Sequence, residues 1–405
     1  MNGTSEVVAE NVAKKDSFAS LAIYSLMALS VVGLIFSIAV SSIAMGAALI
    51  LFVYFVFKSG GTAFPRTQLD LFFLLYVVAE LLASIFSIEP GASFFNMKRL
   101  FLISFVYLAL VAIDNESKLK TVLGLLIGVT SLLSLIELFS LTSIAGHYMR
   151  VSIFQYYMTE GGIKMITLLL LLPFIIHPAT PRSWRILTII GSLPILTGLI
   201  LTQTRSSWLG FMSGVIAIGI LKSKKTIIVL LLFVFLFLLF APSDFRNRAK
   251  SIVDPANRSN LSRIHMLTTG WRMFLDRPVV GVGDIDLKKL YVTYIEPLEE
   301  GEGGHLHNNF IMLLVTLGIV GFAAIMILFI KVFQAEIKAF RSTNSHWLFG
   351  SITLGCFASY IGFHVNGLFE WNFGDHEIAV LLWFTVGISL VSEKLFHRLK
   401  NQGSN

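Results

Sequence analysis

Three residues pair a reactive side chain with a telling position: Arg205, Arg263 and His307. Arg205 lies in Thr202-Gln203-Thr204-Arg205-Ser206-Ser207-Trp208, a hydroxyl-rich break between two apolar stretches. A guanidinium offers a planar fork of donors that suits phosphate oxygens, and the neighbouring hydroxyls can supplement it. The plainer alternative is an interfacial arginine that reaches lipid headgroups. Arg263 belongs to an amphipathic run, 262–275, in which Ile264, Leu267, Trp271, Phe274 and Leu275 share one stripe. Arg263 borders that stripe. Arg272, nine residues on, falls about 180° away and cannot share its ligand on a straight helix. His307 opens an apolar stretch and is followed by Asn308 and Asn309. A neutral imidazole near pH 7 accepts a proton from a sugar hydroxyl; the alternative is a histidine bonded to loop backbone. Lys98 and Arg99 begin another apolar stretch, where they either join the anion site or anchor that helix.

The elements that must position these residues are membrane helices. The chain is 55% hydrophobic and 14% charged, against about 25% charged in a soluble domain. Apolar runs recur at about 18–36, 40–57, 69–87, 98–113, 119–139, 161–177, 184–202, 206–221, 226–241, 307–333, 346–365 and 377–394, each near the length that spans a bilayer. The strict alternation of a β-barrel is missing from them. The expectation is an all-α, polytopic membrane protein of about twelve transmembrane helices. Residues 1–241 would form an N-terminal bundle, 242–306 a polar loop with short helices, and 307–405 a C-terminal bundle with a tail. A tight turn near Ser41-Ser42 is expected to divide residues 18–57, and 141–160 is expected to lie along the interface. The polar N-terminus, without a cleavage-site pattern, reads as a cytoplasmic tail rather than a signal peptide.

The net charge of +7 is explained by orientation, with no need of nucleic acid. Seventeen basic residues fall on the side of the termini, against five in the short loops of the opposite face. That bias puts the termini in the cytoplasm and the long loop outside. The loop carries nine basic and nine acidic residues, so it is a folded polar segment and no polybasic anchor. His305, His307, His364, Asp375 and His376 share the outer face, but no tight metal-ligand spacing joins them; no metal and no cofactor is expected. Cys356 lies within a span, which leaves no disulfide framework. Glu80 and Glu137 lie in apolar spans, where carboxylates are functional or paired; Glu80 would also suit a proton-coupled transporter.

With these residues in view, the chain resembles the O-antigen ligase and O-antigen polymerase superfamily. The resemblance rests on Thr204-Arg205-Ser206-Ser207-Trp208-Leu209-Gly210, on Arg263 with Trp271 and Asp276-Arg277-Pro278-Val279-Val280-Gly281-Val282-Gly283, and on His307-Asn308-Asn309-Phe310 with Leu317-Gly318-Ile319-Val320-Gly321. It implies a GT-C type glycosyltransferase of the bacterial inner membrane with a periplasmic site and no metal. The implied donor is an O-antigen glycan on undecaprenyl diphosphate; the ligase acceptor is a sugar hydroxyl of lipid A–core. Carried over, His307 is the catalytic residue, and Arg205 and Arg263 hold the diphosphate with Lys98 or Arg99 beside them. The run Asn366-Gly367-Leu368-Phe369-Glu370-Trp371-Asn372-Phe373-Gly374-Asp375 looks more like ligases. A polymerase extending the lipid-linked glycan and a lipid-linked sugar transporter are the alternative readings.

Overall fold

The computed structural model describes residues 19–62, 64–140, 143–144, 147–148, 150–297 and 303–402. The protein is a helical membrane bundle. Its helices are α1 (Ala19–Gly33), α2 (Ile38–Lys58), α3 (Asp70–Ile85), α4 (Pro90–Asn96), α5 (Ser104–Ala112), α6 (Glu116–Phe139), α7 (Tyr157–Ile176), α8 (Arg182–Leu201), α9 (Arg205–Leu221), α10 (Lys224–Phe240), α11 (Ser243–Lys250), α12 (Arg258–Asp276), α13 (Lys288–Tyr291), α14 (Asn309–Thr343), α15 (Trp347–Asn366) and α16 (His376–Gln402). A 3₁₀ segment, Met97–Ile103, joins α4 to α5. Each of the twelve expected spans falls on a helix. Among the described residues, eight helical stretches are long and apolar enough to cross a membrane; α1 and α9 are shorter apolar helices.

Burial orders the bundle. α7, α15 and α16 are enclosed over most of their length, whereas α2 is largely exposed at the edge. Small residues bring the central helices together: a Cβ on Gly210 would stand 2.7 Å from the Gly362 carbonyl, so α9 and α15 meet backbone to backbone there. Glu137 is buried against Lys164 at 2.5 Å, and Glu160 lies 3.3 Å from the same ammonium. That triad ties α6 to α7 and accounts for a lysine inside a span. Glu80 accepts the Tyr76 hydroxyl at 2.8 Å.

Three boundaries depart from the sequence reading. The break between α1 and α2 falls at residues 34–37 rather than at Ser41-Ser42. Ser37 caps α2, while Ser41 sits inside the helix, where its hydroxyl and carbonyl meet buried Ser30. Within 141–160, Ser143–Ile144 pairs antiparallel with His147–Tyr148, and α7 begins at Tyr157, ahead of the span expected from residue 161. Lys98 and Arg99 lie in the 3₁₀ segment rather than at the start of a span.

The polar loop does not stay outside the bundle. Gly318 breaks α14 with φ 62 and ψ −171. Beyond the break, the N–H groups of Ile319 and Val320 donate to the carbonyls of Pro278 and Val279 at 2.8 and 3.2 Å. In return, Val282 and Gly283 donate to Val315 and Thr316 at 3.0 and 2.9 Å. Residues 278–283 thus satisfy the backbone groups that the break frees, which a bilayer would otherwise leave unpaired. The glycine motifs on both sides have their reason here: Gly281, Gly283 and Gly318 all have positive φ, and a Cβ on Gly318 would strike the Val279 carbonyl. Gly318→Ala should cost about 1–3 kcal/mol and lower the melting temperature in detergent; an unchanged thermal transition would contradict this pairing.

Candidate functional site

His307 is held by the start of α14. Asn308 caps that helix, its carbonyl oxygen accepting the Phe310 and Ile311 N–H groups at 2.8 and 3.0 Å. The same side chain donates to the Leu368 carbonyl at 2.8 Å. Asn309 donates its backbone N–H to Gly367 and its amide to Asn372, and its oxygen accepts the Phe373 N–H. The two asparagines therefore stitch α14 to the turn between α15 and α16. That turn carries Glu370, which is 7% exposed. Its Oε1 lies 2.9 Å from His307 Nδ1 and 3.5 Å from His305 Nε2.

The His307–Glu370 pair has a defined polarity. Burial opposes the charge of Glu370, but hydrogen bonds from His305 and His307 hold its carboxyl down at about 2. An ionised carboxylate only accepts, so His307 Nδ1 must donate. In the neutral imidazole Nε2 then carries the lone pair and can take a proton. His307 has φ 44, and Gln203, two residues before Arg205, has φ 50; among the described residues these are the two non-glycine positions with positive φ. Both strained residues stand at the start of a helix that carries site chemistry.

The arginines converge on one cleft of about 430 Å³. Arg205, Arg248 and Arg263 line it with Tyr157, Thr204, Ser206 and Asn260, and no carboxylate is among its lining residues. Arg205 donates to the Ser251 carbonyl and hydroxyl at 2.6 and 3.0 Å. Arg248 donates to the Gln203 carbonyl at 2.9 Å. Arg263 donates to the Phe369 carbonyl at 2.9 Å and to the Ser259 hydroxyl at 2.6 Å. These partners aim the guanidinium groups without neutralising them. Burial, then the charges of Arg150, Arg205 and Arg263, pulls Arg248 down to about 10, so it stays protonated at neutral pH. Burial likewise lowers Arg263, against the favourable charge of Glu370. The first turn of α9, which lacks a side-chain cap, lines the same cleft with the donor-rich end of a helix.

Two further cavities adjoin this cleft. An apolar groove of about 1110 Å³ runs between α8, α9 and α10 and shares Leu209 and Ile252 with the arginine cleft. An outer cleft of about 720 Å³ shares Arg263, Asn260 and Phe369 with the arginine cleft, shares Ile252 and Val253 with the apolar groove, and contains His307, Asn308 and Asp254. All three cavities meet at Ile252.

Other expected residues lie elsewhere. Arg99 makes two 2.9 Å bonds to Asp284, beside Tyr76 and Glu80 in a separate cavity, and the Lys98 ammonium sits 3.8 Å from the centre of the Phe95 ring. The structure brings neither to the arginine cleft: Asp284 on the loop already occupies the Arg99 fork. Arg272 pairs with Glu296 at 2.8 Å, apart from Arg263. His364 packs among aromatic rings, and Asp375 caps α16. His305, His307 and Glu370 are the group, among the described residues, whose ligand atoms all lie within 4.8 Å of one another. Two imidazoles and a carboxylate are donors a zinc-like ion accepts.

Residues 190–326 match the family described as O-antigen ligase. The matched stretch is about a third of the chain and supports the superfamily read from the sequence. It contains Arg205, Arg248, Arg263 and His307; Glu370 lies beyond it. No curated protein matches the chain. The matched segment therefore contains the arginines and the histidine, and the turn after α15 supplies the carboxylate that orients that histidine.

Sequence reasoning missed Arg248 and Glu370. The run 366–375 carried the signal for Glu370, since a carboxylate stands there between Phe369 and Trp371 on the face expected for His307. Glu370→Gln should keep the fold and cut transfer at least about tenfold, as loss of an orienting partner does; equal turnover would remove Glu370 from the site. The stability that Glu370 contributes is complete above the ordinary carboxylate pKa of about 4.3 and is lost as pH falls through about 2. Over that window the wild-type melting temperature should fall more steeply than that of Glu370→Gln. Parallel slopes would show that Glu370 is not held in its charged form.

Proposed function

We propose that this protein transfers an O-antigen glycan from undecaprenyl diphosphate to a sugar hydroxyl of lipid A–core on the periplasmic face of the bacterial inner membrane. The single observation that carries this reading is that three cavities of different character adjoin one another. A prenyl chain, a diphosphate and a sugar are joined in the donor, and an apolar groove, an arginine cleft and a histidine cleft adjoin in the protein to receive them. The family match supports the coarser class, O-antigen ligase or polymerase. The seventeen-to-five distribution of basic residues supports cytoplasmic termini and a periplasmic site.

In this reading Arg205, Arg248 and Arg263 grip the diphosphate. The acceptor hydroxyl attacks the anomeric carbon, the carbon–oxygen bond to the diphosphate breaks, and its electron pair stays on the diphosphate oxygen. The three guanidinium groups stabilise that developing charge. His307 Nε2 takes the hydroxyl proton, with Nδ1 kept on Glu370. One direct displacement inverts the anomeric centre. Asp254, Asn260 and Asn308 line the cleft where sugars would lie and offer hydroxyl partners.

The test is transfer by the purified chain from undecaprenyl-diphosphate glycan to lipid A–core, with chelator present. His307→Ala should lower the rate about 10²–10⁴-fold while donor binding persists. Arg205→Lys keeps charge but loses the fork, and should be strongly impaired. Loss of transfer on chelation alone would assign His305, His307 and Glu370 to a metal. Growth of the lipid-linked glycan without transfer to core would make the protein a polymerase. Wild-type rates in His307→Ala would overturn the mechanism.

A further inference from the structure

The amphipathic helix α12 has two apolar faces, and the protein covers only one. Met266, Met273 and Phe274 pack into a small core with Leu306, Ile311 and Val315. Of the stripe that the sequence pattern marks as the packing face, Phe274 alone turns into that core, and the rest stands outward: Ile264 is 49% exposed, Leu267 37%, Trp271 50% and Leu275 58%. Leu261 extends it by one turn. Arg258, His265 and Arg272 border it on one side at helical spacing.

We infer that this face of α12 is seated in the outer leaflet of the lipid bilayer, as an interfacial helix. Two continuities on the protein surface carry the inference. At its C-terminal end the stripe runs into Val279, also exposed, whose carbonyl accepts the Val320 N–H. Val320 and its neighbour Ile319 are the exposed apolar residues of α14, a membrane-crossing helix, at that level. At the other end Ile264 and Leu267 wall the histidine cleft together with Ile252 and Val253. The last two also wall the apolar groove between α8, α9 and α10. The stripe therefore bridges two surfaces that already face hydrocarbon. A soluble protein partner would have to displace lipid at both ends. A tryptophan in the middle of an apolar stripe with a basic border is the composition of helices that lie at the headgroup level. The consequence is that the histidine cleft opens sideways at the membrane surface, so amphiphiles reach it without leaving the bilayer.

The test uses the full chain with Cys356, which is fully buried, replaced by Ala. Single cysteines at Ile264, Leu275 and the exposed Lys289 carry an environment-sensitive fluorophore, and each protein is placed in phosphatidylglycerol-containing nanodiscs. Lipids brominated near the top of the acyl chain should quench the labels at positions 264 and 275 at least threefold more than the label at 289. Aqueous iodide should rank the positions in reverse. Iodide quenching at 264 and 275 equal to that at 289, without bromolipid quenching, would overturn the inference. So would protection from both quenchers, which would mean protein cover. The readout needs no transfer activity, so its failure would leave the proposed reaction standing.

Discussion

Three guanidinium groups share one cleft, and the groups that hold them are carbonyls and hydroxyls. Like charges this close repel, and a carboxylate placed among them would relieve the repulsion. It would also cancel the field that makes the cleft useful to an anion. Neutral acceptors aim each donor fork and leave its charge intact. The surrounding architecture serves that arrangement. The turn before α9 supplies the Gln203 carbonyl, the stretch after α11 supplies Ser251, and the turn after α15 supplies Phe369. In the proposed reaction, the diphosphate of the donor would complete what the protein leaves open.

Backbone strain marks the places where this was achieved. Gln203 and His307 hold left-handed backbone that their side chains do not favour, and each precedes a helix that a site residue depends on. The same economy appears at Gly318. Breaking α14 would leave polar groups at membrane depth, and residues 278–283 fill the gap with backbone pairing. That insertion draws α12 down against α14. It fixes Arg263 on α12 relative to His307 at the head of α14, through contacts far from either side chain.

Much of this was legible in the sequence, for physical reasons that also explain what was not. Arg205 and His307 stand out because polar groups interrupt apolar runs there, and the twelve runs follow from bilayer thickness. Glu370 is separated from His307 by 63 residues, and only the asparagine stitching brings them together. Arg248 shares a short polar helix with Arg246 and Lys250, so nothing local singles it out. Arg99 offers the same donor fork as Arg205, and only the fold reveals that Asp284 reaches it first. On α12 the periodicity marks apolar positions but places Phe274 with Ile264, Trp271 and Leu275, and it cannot say which arc meets protein. Met266, Met273 and Phe274 do; Ile264, Trp271 and Leu275 do not.

The central claim is that the arginine cleft recognises the diphosphate of a prenyl-linked donor. The direct measurement is native mass spectrometry of the purified chain with undecaprenyl diphosphate and, separately, with undecaprenol. The account predicts that the diphosphate lipid survives collision energies that strip the alcohol. It also predicts that joint replacement of Arg205, Arg248 and Arg263 by Ala removes that difference. Equal retention of the two lipids by the wild-type chain would contradict it.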